Sequence, residues 1–191
     1  MKRSLTAALA LVLAAPLALA QTTTWKSDPV HSEVDFSIKH MSLTNVHGRF
    51  GAVNATVVYD AADIAKSTVT ATIDVAGVDT GETARDNHLK TDAFFDVSKY
   101  TTATFQSTKV VKSADGMTVT GNLTLRGVTK PVVLNVVGPT APVTGMDKKQ
   151  HVGFSATTTI RRQDWGIGTS FPSAILGDNV SIEIDLDVAQ Q

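Results

Sequence analysis

Residues 180–188 read Val-Ser-Ile-Glu-Ile-Asp-Leu-Asp-Val. Val180, Ile182, Ile184, Leu186 and Val188 fall on one side of an extended chain. Ser181, Glu183, Asp185 and Asp187 fall on the other, because successive strand side chains point to opposite faces. A strand with one apolar and one polar face belongs to an antiparallel sheet buried on a single side. The same period recurs upstream. Val34, Phe36 and Ile38 alternate with Asp35, Ser37 and Lys39; Val69, Ala71, Ile73 and Val75 with Thr70, Thr72 and Asp74; Val119, Leu123 and Leu125 with Thr118, Thr120, Asn122 and Thr124.

Working outward, the pattern predicts strands near 31–40, 47–58, 67–76, 103–112, 117–126, 130–138, 150–161 and 179–188. Turn signals separate them at Gly77, Asp115-Gly116, Arg126-Gly127, Gly138-Pro139 and Gly177-Asp178. Asp115-Gly116 reads as a hairpin. Strands of roughly ten residues exceed the mean of about 5–6, and long strands with few helices fit a closed, coiled barrel better than a small sandwich. Gly48, Gly51 and Gly121 fit bends in such strands. Residues 81–95 break the period and predict a short helical crossover. The expected fold is all-β: one extended eight-stranded antiparallel barrel over residues 21–191. No internal repeat, linker or low-complexity tract divides it. Beyond residue 20 the chain carries 25 Thr and 22 Val in 171 residues, a strand-favouring composition.

Residues 1–20 are expected to be a cleaved leader. Met1-Lys2-Arg3 is basic, Leu5–Ala15 is apolar, and Ala18 and Ala20 supply the small residues of a cleavage site before Gln21. The apolar run is shorter than the about 20 residues a spanning helix needs. The product is expected in the periplasm, with 15 Lys+Arg against 18 Asp+Glu after the leader leaves. That balance gives no basic footprint for nucleic acid and no polybasic stretch for anionic lipid. With no cysteine, disulfides, thiolate metal sites and cysteine nucleophiles are excluded.

Motifs of catalysis are sparse. No G-x-S-x-G elbow, G-x-G-x-x-G fingerprint, Walker loop or H-E-x-x-H pair occurs. His31, His40 and His47 do not make a metal cluster, since His31 and His40 are nine residues apart and face opposite sides of a strand. No metal and no cofactor are expected. The richest segment is 83–96, Thr-Ala-Arg-Asp-Asn-His-Leu-Lys-Thr-Asp-Ala-Phe-Phe-Asp. It reads equally as a solvated surface helix or as a cap in which Leu89, Phe94 and Phe95 cover the barrel while Arg85 and His88 meet a ligand head. A barrel of eight strands either packs solid or holds one small ligand. The aromatics Phe36, Phe50, Phe94, Phe95, Phe105, Phe154, Trp165 and Phe171 serve either as core or as cavity wall.

Four segments carry a family resemblance. Trp25, Asp28, His31-Ser32, Val34, Phe36, His40, Gly48 and Phe50 form the first. Arg85-Asp86-x-His88-Leu89 followed by Phe94-Phe95-Asp96 forms the second, and Gly121–Val132 (GNLTLRGVTKPV) the third. Phe154, Arg161, Asp164-Trp165-Gly166-Ile167 and Gly177-Asp178 close the set. In order and spacing they resemble the YceI-like family of exported polyisoprenoid-binding proteins, in which the position of Trp165 is often Phe. The resemblance covers essentially the whole chain after the leader. It implies a lipocalin-like barrel with a long apolar pore for an isoprenoid tail, of polyprenyl or quinone type. It further implies a mouth built from His31, His40, Arg85, Asp86, His88, Arg161 and Asp164. The implied wall draws on Phe36, Ile38, Phe50, Leu89, Phe94 and Phe105, and on Leu123, Phe154, Trp165 and Ile167.

Three functions compete at this point. The first is a non-catalytic carrier of an isoprenoid lipid, with transient membrane contact. The second is an enzyme acting on a lipid head group with His88 or His31 and Asp86 as an acid–base pair. The third is a structural or stress-response module with a solid core. A homodimer is also open to the chain: an unpaired edge strand could dimerise, but a closed barrel has none.

Overall fold

A computed structural model describes residues 22–191. The expected leader, residues 1–20, lies outside the described residues. Strands β1 (Thr23–Ser27) and β2 (Glu33–His40) form one wall interrupted at 28–32, and β3 (Thr44–Arg49) and β4 (Val53–Tyr59) form the next, interrupted at 50–52. There follow β5 (Thr68–Asp74), helix α1 (Thr83–Leu89), β6 (Thr102–Lys112), β7 (Met117–Leu125), β8 (Val128–Val137), the two-residue β9 (Val143–Thr144), β10 (Gln150–Arg161) and β11 (Leu176–Gln190). Short 3₁₀ turns sit at Ile64–Lys66 and Arg162–Trp165.

Each wall pairs antiparallel with its neighbour. The circle closes through β11, which pairs with β10 along one side, as in Phe154↔Leu186. On its other side β11 meets β2 at Ile182↔Phe36 and β1 at Trp25↔Gln190. The result is the eight-walled closed antiparallel barrel with one short helix. Each predicted strand has its counterpart, but the first two walls are longer and more broken than predicted, and β1 begins eight residues upstream of the expected start at 31. The β8–β10 seam is the weakest part of the circle. Its register covers Asn135–Val137 against Ser155–Thr157.

Two glycines show how the sheet bends. Gly48 lies opposite Phe36, and a Cβ there would stand 2.5 Å from the ring Cζ. At Gly121 an added Cβ would stand 2.3 Å from Phe105 Cζ. Both glycines leave room for a phenyl ring to lie across the strand. Opposite Gly121 the register of β6 shifts between Ser107 and Lys109. The Ser107 hydroxyl accepts from the Val69 N–H at 2.9 Å and so replaces a ladder bond. The bulge also changes parity. Ala103 and Phe105 are buried before it and Val110 after it, which a strict period of two does not anticipate.

Candidate functional site

The inward faces of the walls enclose a cavity of about 220 Å³. It runs from Thr68, Val110, Met117 and Val136 at one end of the barrel to Leu89, Phe94, Phe95 and Ile167 at the other. Its lining is almost wholly aliphatic and aromatic. Its polar residues are few: Tyr59, Ser67 and Thr68 come together where β4 pairs with β5, and Thr158 and Arg162 lie on and just after β10. Packed cores hold few voids larger than a water molecule. At about 24 cal/mol per Å³, a dry void of this size costs on the order of 5 kcal/mol.

The crossover between β5 and β6 closes one end. Glu82 caps α1 by accepting from the N–H groups of Ala84 (3.2 Å) and Arg85 (2.7 Å). Asp86 turns back to accept from the Thr80 N–H at 2.9 Å and its hydroxyl at 2.5 Å. Arg85 donates to the Thr80 hydroxyl at 2.7 Å and carbonyl at 3.0 Å. Arg85 and Asp86 therefore converge on Thr80 and hold the cap in place, and neither lines the cavity. His88 is exposed and stands edge-on to Phe94 and Phe171, with ring centroids 5.0 and 6.0 Å away. Leu89, Phe94 and Phe95 point into the barrel, where Phe95 meets Phe50 edge to face at 5.5 Å.

The connection from β10 to β11 is organised by Arg162, which is 2 % exposed. Its Nε donates to the Gly177 carbonyl at 3.0 Å. Nη1 donates to the carbonyls of Ile167, at 3.0 Å, and Gly168. Nη2 donates to the carbonyls of Phe171 (2.8 Å) and Leu176 (2.9 Å) and to Asp178 Oδ1 at 3.2 Å. Burial pushes this guanidinium below its ordinary pKa, against the pull of Asp178; an arginine stays charged nonetheless. Arg126 ties the same loop to the cap, donating to the carbonyls of Gly166 at 2.9 Å and Asp92 at 2.7 Å.

The expected wall residues Phe36, Ile38, Phe50, Leu89, Phe94, Phe105, Leu123, Phe154 and Ile167 all line the cavity. Trp165 is buried in the core beside it and does not line it; its indole N–H points at the Leu123 carbonyl, 3.4 Å away. The expected mouth does not assemble. Arg161, Asp164 and His40 are exposed, with His40 at the tip of β2. His31 lies at the break between β1 and β2, near the end of the barrel away from α1, and is bonded to Asp28 at 2.8 Å. The residue missed was Arg162, next to the chosen Arg161. Parity would have found it: Val152, Phe154, Ala156, Thr158 and Ile160 all face inward, and 162 continues that series.

A second group gathers on the outer surface. His151 Nδ1 lies 2.6 Å from Asp187 Oδ1, and its Nε2 lies 3.1 Å from Asp147 Oδ1. Asp187 and Asp147 raise the His151 pKa above its ordinary value, and Asp28 raises that of His31.

Fold and cavity together define a class: a closed antiparallel barrel with a continuous apolar interior and a helical cap. The YceI-like domain family matches residues 25–188, and the chain belongs to that family. A UPF0312 protein of Vibrio cholerae is 34 % identical over 194 residues, covering 98 % of this chain and 97 % of its own. Burkholderia cenocepacia BcnA has the same architecture, with a TM-score of 0.70 at 28 % identity over 84 % of this chain and 98 % of its own. A polyisoprenoid-binding domain from Saccharophagus degradans, implicated in plant cell wall breakdown, gives a TM-score of 0.63 at 16 % identity. That match covers 90 % of this chain and all of the other, and shares the fold.

Proposed function

We propose that the protein is an exported, non-catalytic carrier that holds the tail of a long isoprenoid lipid, of polyprenyl or quinone type, inside the barrel. The observation that carries this reading is the apolar cavity running between the two ends of the barrel. It favours a carrier over a solid structural module. The likeness to a polyisoprenoid-binding domain supports an isoprenoid as the ligand. Each buried CH₂ of such a tail contributes about 0.8 kcal/mol. Summed over tens of carbons this would pass the practical ceiling of about −18 to −21 kcal/mol, so tail ordering and wall rearrangement offset much of it. The space is smaller than the about 300–1,000 Å³ of an ordinary ligand pocket, so wall side chains rotate aside as the tail threads in.

The lining is overwhelmingly apolar, so recognition along the tail falls on its width and length, and the head group stays outside. The competing acid–base reading requires His88 or His31 beside Asp86. Asp86 is instead engaged by Thr80, and His31 by Asp28. Native mass spectrometry of the exported protein, with lipid identified after denaturing extraction, tests the carrier reading. A single isoprenoid of defined mass is expected. A bare chain that also refuses added polyprenyl lipid would overturn it, and chemical conversion of bound lipid would restore the enzyme.

A further inference from the structure

The outer surface at the end of the barrel away from α1 carries a second constellation, none of whose residues lines the tail cavity. Asp28, His31 and Asp187 each present one donor atom, and all three atoms lie within 4.8 Å of one another. The grouping is tertiary. Asp28 and His31 come from the break between β1 and β2, and Asp187 from β11. Backbone bonds hold the two segments in register. The Asp28 N–H donates to the Asp187 carbonyl at 2.8 Å. The nearly buried Ser32 hydroxyl donates to that carbonyl at 3.1 Å and accepts from the Asp187 N–H at 3.2 Å.

His151 donates or accepts at Asp187 Oδ1, and Asp147 sits beyond it at 3.1 Å. The carboxylates of Asp28, Asp115, Asp147, Asp185 and Asp187 and the imidazoles of His31 and His151 therefore line one open groove of about 860 Å³. Among the described residues, the ion-pair partners of Asp28, Asp147 and Asp187 are histidines, with no lysine or arginine among them. With neutral imidazoles the group is strongly negative, and a cation relieves that repulsion.

We propose that Asp28, His31 and Asp187 form a binding site for a divalent first-row transition-metal ion of the Zn²⁺ type, with His151 orienting the Asp187 carboxylate. Imidazole nitrogen plus carboxylate oxygens suits such ions, whereas hard Mg²⁺ and Ca²⁺ take all-oxygen sets. Ligand atoms about 2.0–2.2 Å from one ion lie about 3.0–3.5 Å apart, so His31 and Asp28, bonded at 2.8 Å, part slightly to admit the ion. His31, with 68 % of its side chain exposed, has open space around it in which to turn toward the ion. When the ion takes Nδ1, the single hydrogen of the neutral imidazole resides on Nε2, and an imidazolium first gives its second proton to solvent. Water fills the remaining positions on the groove side. The bound ion links the β1–β2 break to β11 and so clamps the closing seam of the barrel.

The test is calorimetric titration of the full exported chain, tag-free and metal-stripped, with Zn²⁺ and in parallel with Mg²⁺. One Zn²⁺ per chain is expected, with far weaker Mg²⁺ uptake and a Tm that rises with Zn²⁺ concentration. His31→Ala and Asp187→Asn should each weaken binding at least about tenfold, and His151→Ala about 10–100-fold. A wild-type chain that takes up no Zn²⁺ overturns the proposal. So do coincident titrations of wild type and His31→Ala. His31 is exposed, so its removal leaves the fold intact, as circular dichroism will show, and that variant decides the matter even where Asp187→Asn folds poorly.

Discussion

Arg162 shows how one buried charge organises a loop. Its donors satisfy five carbonyls from Ile167 to Gly177 and one carboxylate. Those acceptors lie in the β10–β11 connection and at the start of β11, before its regular pairing with β2 begins at Val180, where backbone groups otherwise lack partners. Removing one partner of a buried ionic network costs about 3–5 kcal/mol. Arg162→Lys cannot restore it, because an ammonium on a single stem has three donors and no planar fork. Both Arg162→Lys and Arg162→Met are expected to lower the urea midpoint by a similar large amount, measured at constant m-value.

Asp96 belongs to the same scale. It sits at positive φ beneath the cap, and Lys99 and Ser98 donate to its carboxylate at 3.0 and 2.9 Å. These bonds, that from Lys99 foremost, hold its pKa below the ordinary value. A depressed carboxyl contributes stability that is complete above the unfolded pKa, about 3.9. That contribution is lost as pH falls through the folded value. Unfolding free energy should therefore drop more steeply below about pH 4 in the wild type than in Asp96→Asn, as denaturant melts at successive pH values will show.

At the scale of the element, strand bending rests on glycine beneath phenyl rings. Gly48→Ala would push a methyl into Phe36 and Thr80, at a cost of about 1–3 kcal/mol. The double variant Phe36→Leu/Gly48→Ala should be less destabilised than the sum of the singles by at least about 0.5 kcal/mol, since the two positions share one space. Helix α1 is held by a different device. It is only seven residues long and buries none of them, so its placement depends on Asp86 and Arg85 grasping Thr80. Asp86→Ala removes two bonds to the Thr80 turn and should cost about 1–3 kcal/mol. The cap should then open more readily, seen as faster proteolysis in residues 80–95 and faster release of bound lipid.

For the whole molecule, β11 closes the circle onto β1 and β2, the β8–β10 seam pairs only three residues on each strand, and the interior stays open. A packed-solid barrel and a carrier differ only in whether that space is filled. Ala156 lines the cavity midway along β10. Ala156→Phe fills the space, costs no more than about 1–3 kcal/mol, and should abolish lipid uptake while the barrel still melts cooperatively. Undiminished uptake by a folded Ala156→Phe would place the ligand elsewhere.

Alternation alone was enough to read strand, face and fold class, because a half-buried strand must repeat every two residues wherever it lies in space. Nine of the ten wall residues that the family resemblance implied line the cavity; Phe36, Ile38 and Leu123 also lie on the alternating apolar faces, whereas Phe50, Leu89, Phe94 and Ile167 lie off the strands. The polar sites followed another logic. Arg85 and Asp86 turn toward Thr80, Arg161 yields the interior to Arg162, and Asp28, His31, His151 and Asp187 meet across a seam that joins the two ends of the chain. Which polar groups meet depends on register, bulges and the closure of β11 onto β1 and β2. Those are set by the packing of the whole barrel, and no local spacing records them.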